Sequence, residues 1–288
     1  MEYLIHLAIF FSIYAILAIS LDLVVGYTGL LSVTHAAFYG IGAYTVALLL
    51  TRADVGFFPA LAAGAMLTAF VAFLIGFVLS RFRGDYYALG SLGFNIIVFA
   101  IFLNWQELTH GPLVVPGIDR PEIAGFVFSD NGAFLLLALV MLVLAWFLGR
   151  FIAASSLGRI LKAIREDEGA IAVFGYHVLS FKLFIFVITA AIAAIAGGLF
   201  ASYITFIDPS SFTVNESIFI LAIVILGGLG SLRGPVLGAL LLILLPEALR
   251  FVGFPTEIAA QMRQAVYGIL LVVLMLYRPQ GLLGEYRL

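Results

Sequence analysis

The sequence predicts an all-α, polytopic integral membrane protein with about eight to ten transmembrane helices, some short or broken by glycine. Three observations carry that prediction. Of 288 residues, 64% are hydrophobic and only 10% are charged, against about a quarter charged in a soluble domain. Fourteen Lys and Arg with 16 Asp and Glu cannot give a core of this size a polar skin, so its solvent is lipid. The apolar residues come in runs near the roughly 20 residues a spanning helix needs. Those runs are rich in Leu, Ala, Gly and Phe without the strict alternation of a membrane barrel. A net charge of −2 argues against nucleic acid as a partner, and the absence of cysteine excludes disulfides and thiolate metal sites.

Dividing the runs at Gly, Pro and charge clusters places spans near 4–25, 30–51, 57–80, 86–103, 132–152, 182–206, 216–232, 234–252 and 264–277. The first follows Glu2 and exceeds a signal-peptide core in length, so it reads as a retained span. Residues 1–288 thus form one transmembrane domain, with 153–181 and 104–131 as its main polar interruptions. Lys and Arg are retained in cytoplasmic loops. The stretch 150–182 holds Arg150, Arg159, Lys162, Arg165 and Lys182, Arg81 and Arg83 form a second cluster, and Arg278 and Arg287 a third. These are expected inside, while 104–131 and the acidic 207–216 are expected outside. The amino terminus then lies outside and the carboxyl terminus inside. Arg52, Arg250 and Arg263 fall on the outer side of this count, which admits a re-entrant or missed span.

Three stretches carry chemistry. In 155–182, Ser155 or Ser156 can cap a helix whose Leu157, Ile160, Leu161 and Ile164 form one apolar face, with Arg159, Lys162 and Arg165 off that stripe. Glu166, Asp167 and Glu168 then favour the first turn of a second short helix, and Gly175 suits a left-handed terminus. Two readings stand: a hairpin lying on lipid headgroups, or a helical pair docking on a soluble partner. The acidic triplet, which anionic lipid would repel, favours the second.

The second stretch, 25–44, sets Gly26, Gly29, Gly40 and Gly42 among Thr28, Ser32, Thr34 and His35 within an apolar run. Interrupted backbone at that depth faces protein or a water-filled cavity. Close helix packing accounts for the glycines, and His35 is either a packing histidine or a pathway group. Asp22 reads as interfacial or capping. The third stretch, 226–239, joins two spans through Gly227, Gly228, Gly230, Gly234 and Gly238. Tight turning is its default role, although its amides around Ser231 are candidate donors. The paired interruptions at 26–29 and 227–230 are the kind that mark a transporter pathway. Ser91, Asn95, Tyr86 and Tyr87 make 86–103 the other polar span. No metal cluster, nucleophile and base pair, or Walker A loop is present, so any ATP hydrolysis belongs to another chain.

Taken together, VGYTGLLS from Val25, HAAFYGIGAY from His35, GDYYAL from Gly84, AIREDE from Ala163, FKLFIFVITA from Phe181, the block Ser217–Ala239 and RPQGLLG from Arg278 resemble one family. It is the inner-membrane permease family of ABC importers for branched-chain amino acids, the high-affinity Liv system, nearest its LivM-type subunits. Asp22, Thr34 and His110-Gly111-Pro112 depart from the family's usual Asn, Gly and Gly-Gly-Ser. The resemblance implies a second homologous permease subunit, two cytoplasmic ATP-binding subunits that hold the ATP and magnesium, and a periplasmic or lipid-anchored substrate-binding protein. It implies no cofactor on this chain. It also implies that Arg165, Glu166, Asp167, Glu168, Ala170 and Gly175 lie in the ATPase-coupling region.

The expected activity is alternating access for branched-chain or related amino acids, along a path through Ser32, His35, Ser91 and Asn95. The alternatives are a urea or short-amide permease of the same family and a self-contained ion-coupled transporter. For the latter, only Asp22 and Glu247 offer intramembrane carboxylates.

Overall fold

The structure is a computed structural model that describes residues 2–123, 126–128, 130–250, 268–269, 272–273, 276–278 and 280–286. Its helices are α1 (Glu2–Thr28), α2 (His35–Ala53), α3 (Phe57–Leu79), α4 (Asp85–Asn104), α5 (Gln106–Thr109) and α6 (Asn131–Ala154). They continue with α7 (Ser156–Glu166), α8 (Glu168–Val173), α9 (Val178–Ile204), α10 (Val214–Gly227) and α11 (Arg233–Arg250). Six of them, α1, α2, α3, α4, α6 and α9, are long and apolar enough to cross a membrane, and α10 and α11 are shorter apolar helices. The chain is therefore the multi-pass helical membrane protein its composition predicts. The ninth predicted span, 264–277, lies largely outside the described residues, as do Arg263 and the side chains of Glu247 and Arg250.

Burial separates inner helices from outer ones. In their most apolar 18-residue windows, α1, α2 and α9 are 56, 56 and 61% buried, against 28 to 33% for α3, α4 and α6. Exposed Phe70, Phe73, Leu136, Phe147 and Phe151 on the outer helices are ordinary lipid-facing residues. Lipid tails are as apolar as leucine, so close approach between small residues, rather than hydrophobicity, holds such helices together. α1 packs against α6, α9, α10 and α11, and α2 packs against α9 and α3. A methyl added at Gly197 of α9 would collide with the Tyr39 carbonyl oxygen and stand 2.9 Å from the Ala43 nitrogen of α2.

The two ends of the bundle differ in charge. At one end α6 leads into α7, whose start is capped by Ser155 accepting from the Gly158 amide. The tail 280–286 lies at this end, and so does the α3 terminus beside Arg81 and Arg83, since Gly76 sits against Leu183 early in α9. Arg81, Arg83, the basic residues of α7 and Arg278 thus share one end, as the charge pattern anticipates. At the other end β1 (Val115–Pro116) pairs antiparallel with β4 (Phe206–Ile207), and β2 (Glu122–Ile123) pairs with β3 (Phe126–Val127). Arg120 donates to Asn131 at 3.0 Å, and Asn131 donates to Glu2 at 2.9 Å, which ties the amino terminus to this surface.

The predicted span 30–51 needs correction. Helix α1 runs unbroken through Gly26 to Thr28, and residues 29–34 are not helical. Gly26 is therefore a packing glycine rather than a break, and the interruption begins at Gly29, whose φ of 71° is left-handed. In 108–118 the short α5 occupies the first positions and the rest is irregular.

Candidate functional site

Depth in the bundle follows from counting helical rise. Ser217 precedes Gly227, the basic-end terminus of α10, by ten residues, and Asn95 follows Asp85, the basic-end start of α4, by ten. At 1.5 Å per residue each lies about 15 Å from that end, near the middle of a hydrocarbon layer about 30 Å thick. Both side chains meet the non-helical segment there. Asn95 Nδ2 donates to the Val33 carbonyl at 3.0 Å and to Ser217 Oγ at 2.6 Å. The Val33 amide donates to Ser91 Oγ at 2.9 Å, and the Ala36 amide donates to Ser217 Oγ at 2.9 Å. Ser32 Oγ and Thr34 Oγ1 share a hydrogen bond of 2.9 Å.

These contacts explain why an unwound segment survives at this depth. Each unpaired backbone group in hydrocarbon costs several kcal/mol, so such a segment persists only when side chains replace the missing helical partners. Ser91, Asn95 and Ser217 do so for Val33 and Ala36. Ser32, His35, Ser91 and Asn95 are all completely buried, and one neighbourhood gathers them. Two groups in it stay open: both ring nitrogens of His35 and the Asn95 Oδ1 have no hydrogen-bond partner among the described residues. The structure thus concentrates unspent polar capacity beside the first turn of α2. The apolar groove between α6 and α11, lined by Leu142, Trp146, Val236 and Leu237, involves none of these residues.

Ser217 was not singled out from the sequence. It lies at the start of an apolar run next to Glu216, which resembles an exposed loop acid in sequence but accepts from Tyr14 Oη at 2.6 Å. Only the fold brings these partners together, across about 200 residues of chain in the Tyr14 pair.

At the basic end, the glycine turn is a joint rather than an anion cradle. Gly228 and Gly230 have φ of 108° and 77°, conformations that side chains disfavour. The amides considered as free donors are spent: Gly230 donates to Asp22 Oδ1 at 2.9 Å and Gly234 to Ser231 Oγ at 3.2 Å. Asp22 is completely buried inside α1 rather than interfacial, and its role is to accept from this turn. Gly26 permits the contact, because a methyl there would stand 2.5 Å from the Gly230 nitrogen.

The Asp22 bond makes a direct prediction. Asp22→Leu orphans the buried Gly230 amide, a loss of about 1–3 kcal/mol, and lowers the thermal midpoint of the purified protein in detergent. Asp22→Asn keeps an acceptor for that amide and removes the buried charge, so its midpoint stays near the native one. Equal losses in both variants would show that the charge, and not the acceptor, matters.

In the α7–α8 hairpin the predicted residues take distinct tasks. Arg165 Nη1 donates to the Val25 carbonyl at 3.1 Å and to the Gly26 carbonyl, capping the end of α1. Half-burial pulls its proton affinity below the ordinary guanidinium range, with Tyr286, Asp22 and Glu166 acting in the opposite sense. The acidic triplet divides: Glu166 ends α7, Asp167 caps α8 by accepting from the Ala170 amide at 2.9 Å, and Glu168 accepts from the mostly buried Lys182 at 2.6 Å. Thus Asp167 serves the hairpin's own geometry, and Glu168 ties the hairpin to α9. Gly175 takes a φ of 86° where the chain turns back. What projects is apolar, since Val173 and Phe174 are 87 and 77% exposed. Counting charges misses this tip, because two apolar residues there look like one more helical turn.

A bundle of apolar helices around a buried, polar, unwound segment, with an apolar-tipped hairpin at its basic end, defines a membrane protein of the transporter class. The family described as branched-chain amino acid transport system / permease component matches residues 3–275, and the chain belongs to it. It is 39% identical to the high-affinity branched-chain amino acid transport permease LivM of Escherichia coli K12, over 96% of this chain and 68% of that one. It is 28% identical to LivH of the same organism, over 95 and 92% of the two chains. It is 30% identical to BraD of Pseudomonas aeruginosa, again over 95 and 92%. No solved structure matches.

Proposed function

We propose that this chain is one permease subunit of an ATP-driven importer in the bacterial or archaeal cytoplasmic membrane, moving branched-chain or related amino acids inward by alternating access. The basic end faces the cytoplasm, where retained Lys and Arg belong. The α7–α8 hairpin docks on one of two ATP-binding partner subunits, which carry out all ATP hydrolysis, and a second homologous permease completes the path. Likeness to both LivM and LivH, two permeases of one organism, supports such pairing. A substrate-binding protein delivers its ligand to the opposite end, on the surface formed around β1 and β4. The substrate path runs past Ser32, His35, Ser91 and Asn95.

The observation that carries this reading is the exposed Val173 and Phe174 tip on a hairpin whose charges are largely engaged internally. A short helical pair with an apolar tip and a polar body suits a groove on a soluble protein better than a bilayer surface. An ion-coupled carrier is less well supported: the buried Asp22 and the partly buried Glu216 each already accept a hydrogen bond within the fold.

The test is to purify the tagged chain in mild detergent from its native membranes beside a Val173→Asp, Phe174→Asp variant. The expected result is co-purification of two ATPases and a second permease, with the variant losing ATPase and keeping the second permease. Reconstituted vesicles should accumulate leucine, isoleucine or valine only with ATP inside and binding protein outside. Uptake of urea or a short amide in their place would change the substrate class. A chain that arrives alone and transports without ATP overturns the importer.

A further inference from the structure

The RPQGLLG motif and the residues after it have no task in the reading above, yet the tail occupies a central position. Residues 280–286 turn against the end of α10. Leu282 donates to the Leu226 carbonyl at 3.1 Å, Leu283 to Gly227 at 2.9 Å, and Glu285 to Leu229 at 3.0 Å. The last carbonyls of a helix have no partner within it, so the tail serves as the terminal cap of α10. Gly281 and Gly228 permit the approach: a methyl on Gly228 would stand 2.6 Å from the Gly284 Cα.

The tail also grips α7. Lys162 forms an ion pair with Glu285. The Arg165 guanidinium lies 4.1 Å from the centre of the Tyr286 ring, while the same guanidinium caps α1 at Val25 and Gly26. Tyr286 also packs on the turn, where a methyl at Gly230 would meet its ring at 2.7 Å. Gly230 in turn donates to Asp22 of α1. A loop of contacts therefore closes from α7 through Tyr286 and Gly230 to α1 and back through Arg165. It joins the basic-end termini of α1 and α10 to a single helix.

Resting on the importer reading, we infer that the tail 280–286 is the transmission strap of this permease, with Tyr286 and Arg165 as positioning residues that pass movement of α7 to the ends of α1 and α10. The consequence reaches the proposed path. The chain leaves α1 at Thr28 directly into the unwound 29–34 segment, and α10 carries Ser217, which holds Ala36 and Asn95. Displacing α7 thus moves both elements that bracket His35. An ion pair at the surface contributes little alone, so the stacked Arg165 and Tyr286 pair carries the link, since guanidinium groups suit stacking on aromatic faces.

The test measures amino acid transported per ATP hydrolysed by the complete complex in vesicles. Tyr286→Ala is expected to leave assembly and ATP hydrolysis in place and to lower that ratio roughly tenfold, a coupling loss of ordinary size. Tyr286→Phe, which keeps the ring, is expected to restore it. A packing role alone would change yield and not the ratio, so a native ratio in Tyr286→Ala overturns the inference.

If Tyr286→Ala fails to assemble, a second arm decides. The natural chain has no cysteine, so Lys162→Cys with Glu285→Cys can be bridged selectively by a short bifunctional maleimide. Uptake that survives bridging supports a strap that travels with α7, and uptake blocked by bridging overturns it. A native complex without ATP-dependent uptake would instead defeat the importer reading on which the strap depends.

Discussion

Gly197→Val is expected to abolish recovery of folded protein, and Gly197→Ala to destabilise it measurably. The first atom of any side chain at this position runs into the Tyr39 carbonyl oxygen and stands 2.9 Å from the Ala43 nitrogen, both backbone of α2. A flexible neighbour could rotate away, but backbone cannot. Moving α2 outward also separates Gly42 from the Ala194 backbone, so both small-residue contacts along the α2 and α9 interface open together. Overpacking costs about 1–3 kcal/mol in soluble cores, and more where the opposing atoms are fixed. Gly93→Ala is the control, because a methyl at Gly93 meets nothing within 4 Å. Fluorescence-detected size-exclusion chromatography of tagged variants in detergent reads the outcome. A native, monodisperse profile for Gly197→Val would mean that α2 and α9 approach each other less closely than the structure shows.

The contrast between these two glycines also shows what a sequence discloses. Composition and run length gave the helical membrane fold because they depend on solvent alone. The Ser155 cap and the left-handed Gly175 were also readable, since each depends on a few neighbouring residues. The start of α2 was not. A run from Leu30 is apolar enough to be helix, and what unwinds it is a set of acceptors and donors on α4 and α10, about 60 and 180 residues away. Propensity carries no trace of such partners. For the same reason the sequence leaves Glu168 available to a partner, whereas the fold pairs it with Lys182. The four predicted path residues are polar groups in apolar runs. That rule finds members of a buried polar cluster, but not the fifth member, Ser217, which begins a run instead of interrupting one.

His35→Phe is expected to separate stability from transport. The imidazole is completely buried, touches the Phe38 ring edge-on at a centroid distance of 6.2 Å, and leaves both nitrogens without a partner among the described residues. Buried polar atoms are nearly always satisfied, so two on one ring form an exception that stability does not explain. Replacing such a ring with an apolar one of similar shape removes a desolvation cost and no hydrogen bond, so the purified variant should melt at or above the native temperature. If the nitrogens are held in reserve for the charged ends of a passing amino acid, uptake should fall. A hydrogen bond to a charged group contributes about 1.5–3 kcal/mol, roughly ten- to hundredfold in rate where it acts at the barrier. His35→Gln, which offers an amide donor and acceptor, should retain part of the activity. The measurement is initial uptake in vesicles together with the thermal midpoint, on the same preparations. Unchanged uptake in His35→Phe would return His35 to a packing role and leave Asn95 Oδ1 as the remaining unspent polar group of this cluster. A fall in both uptake and midpoint would mean that the ring holds the unwound segment in place, with the substrate passing elsewhere.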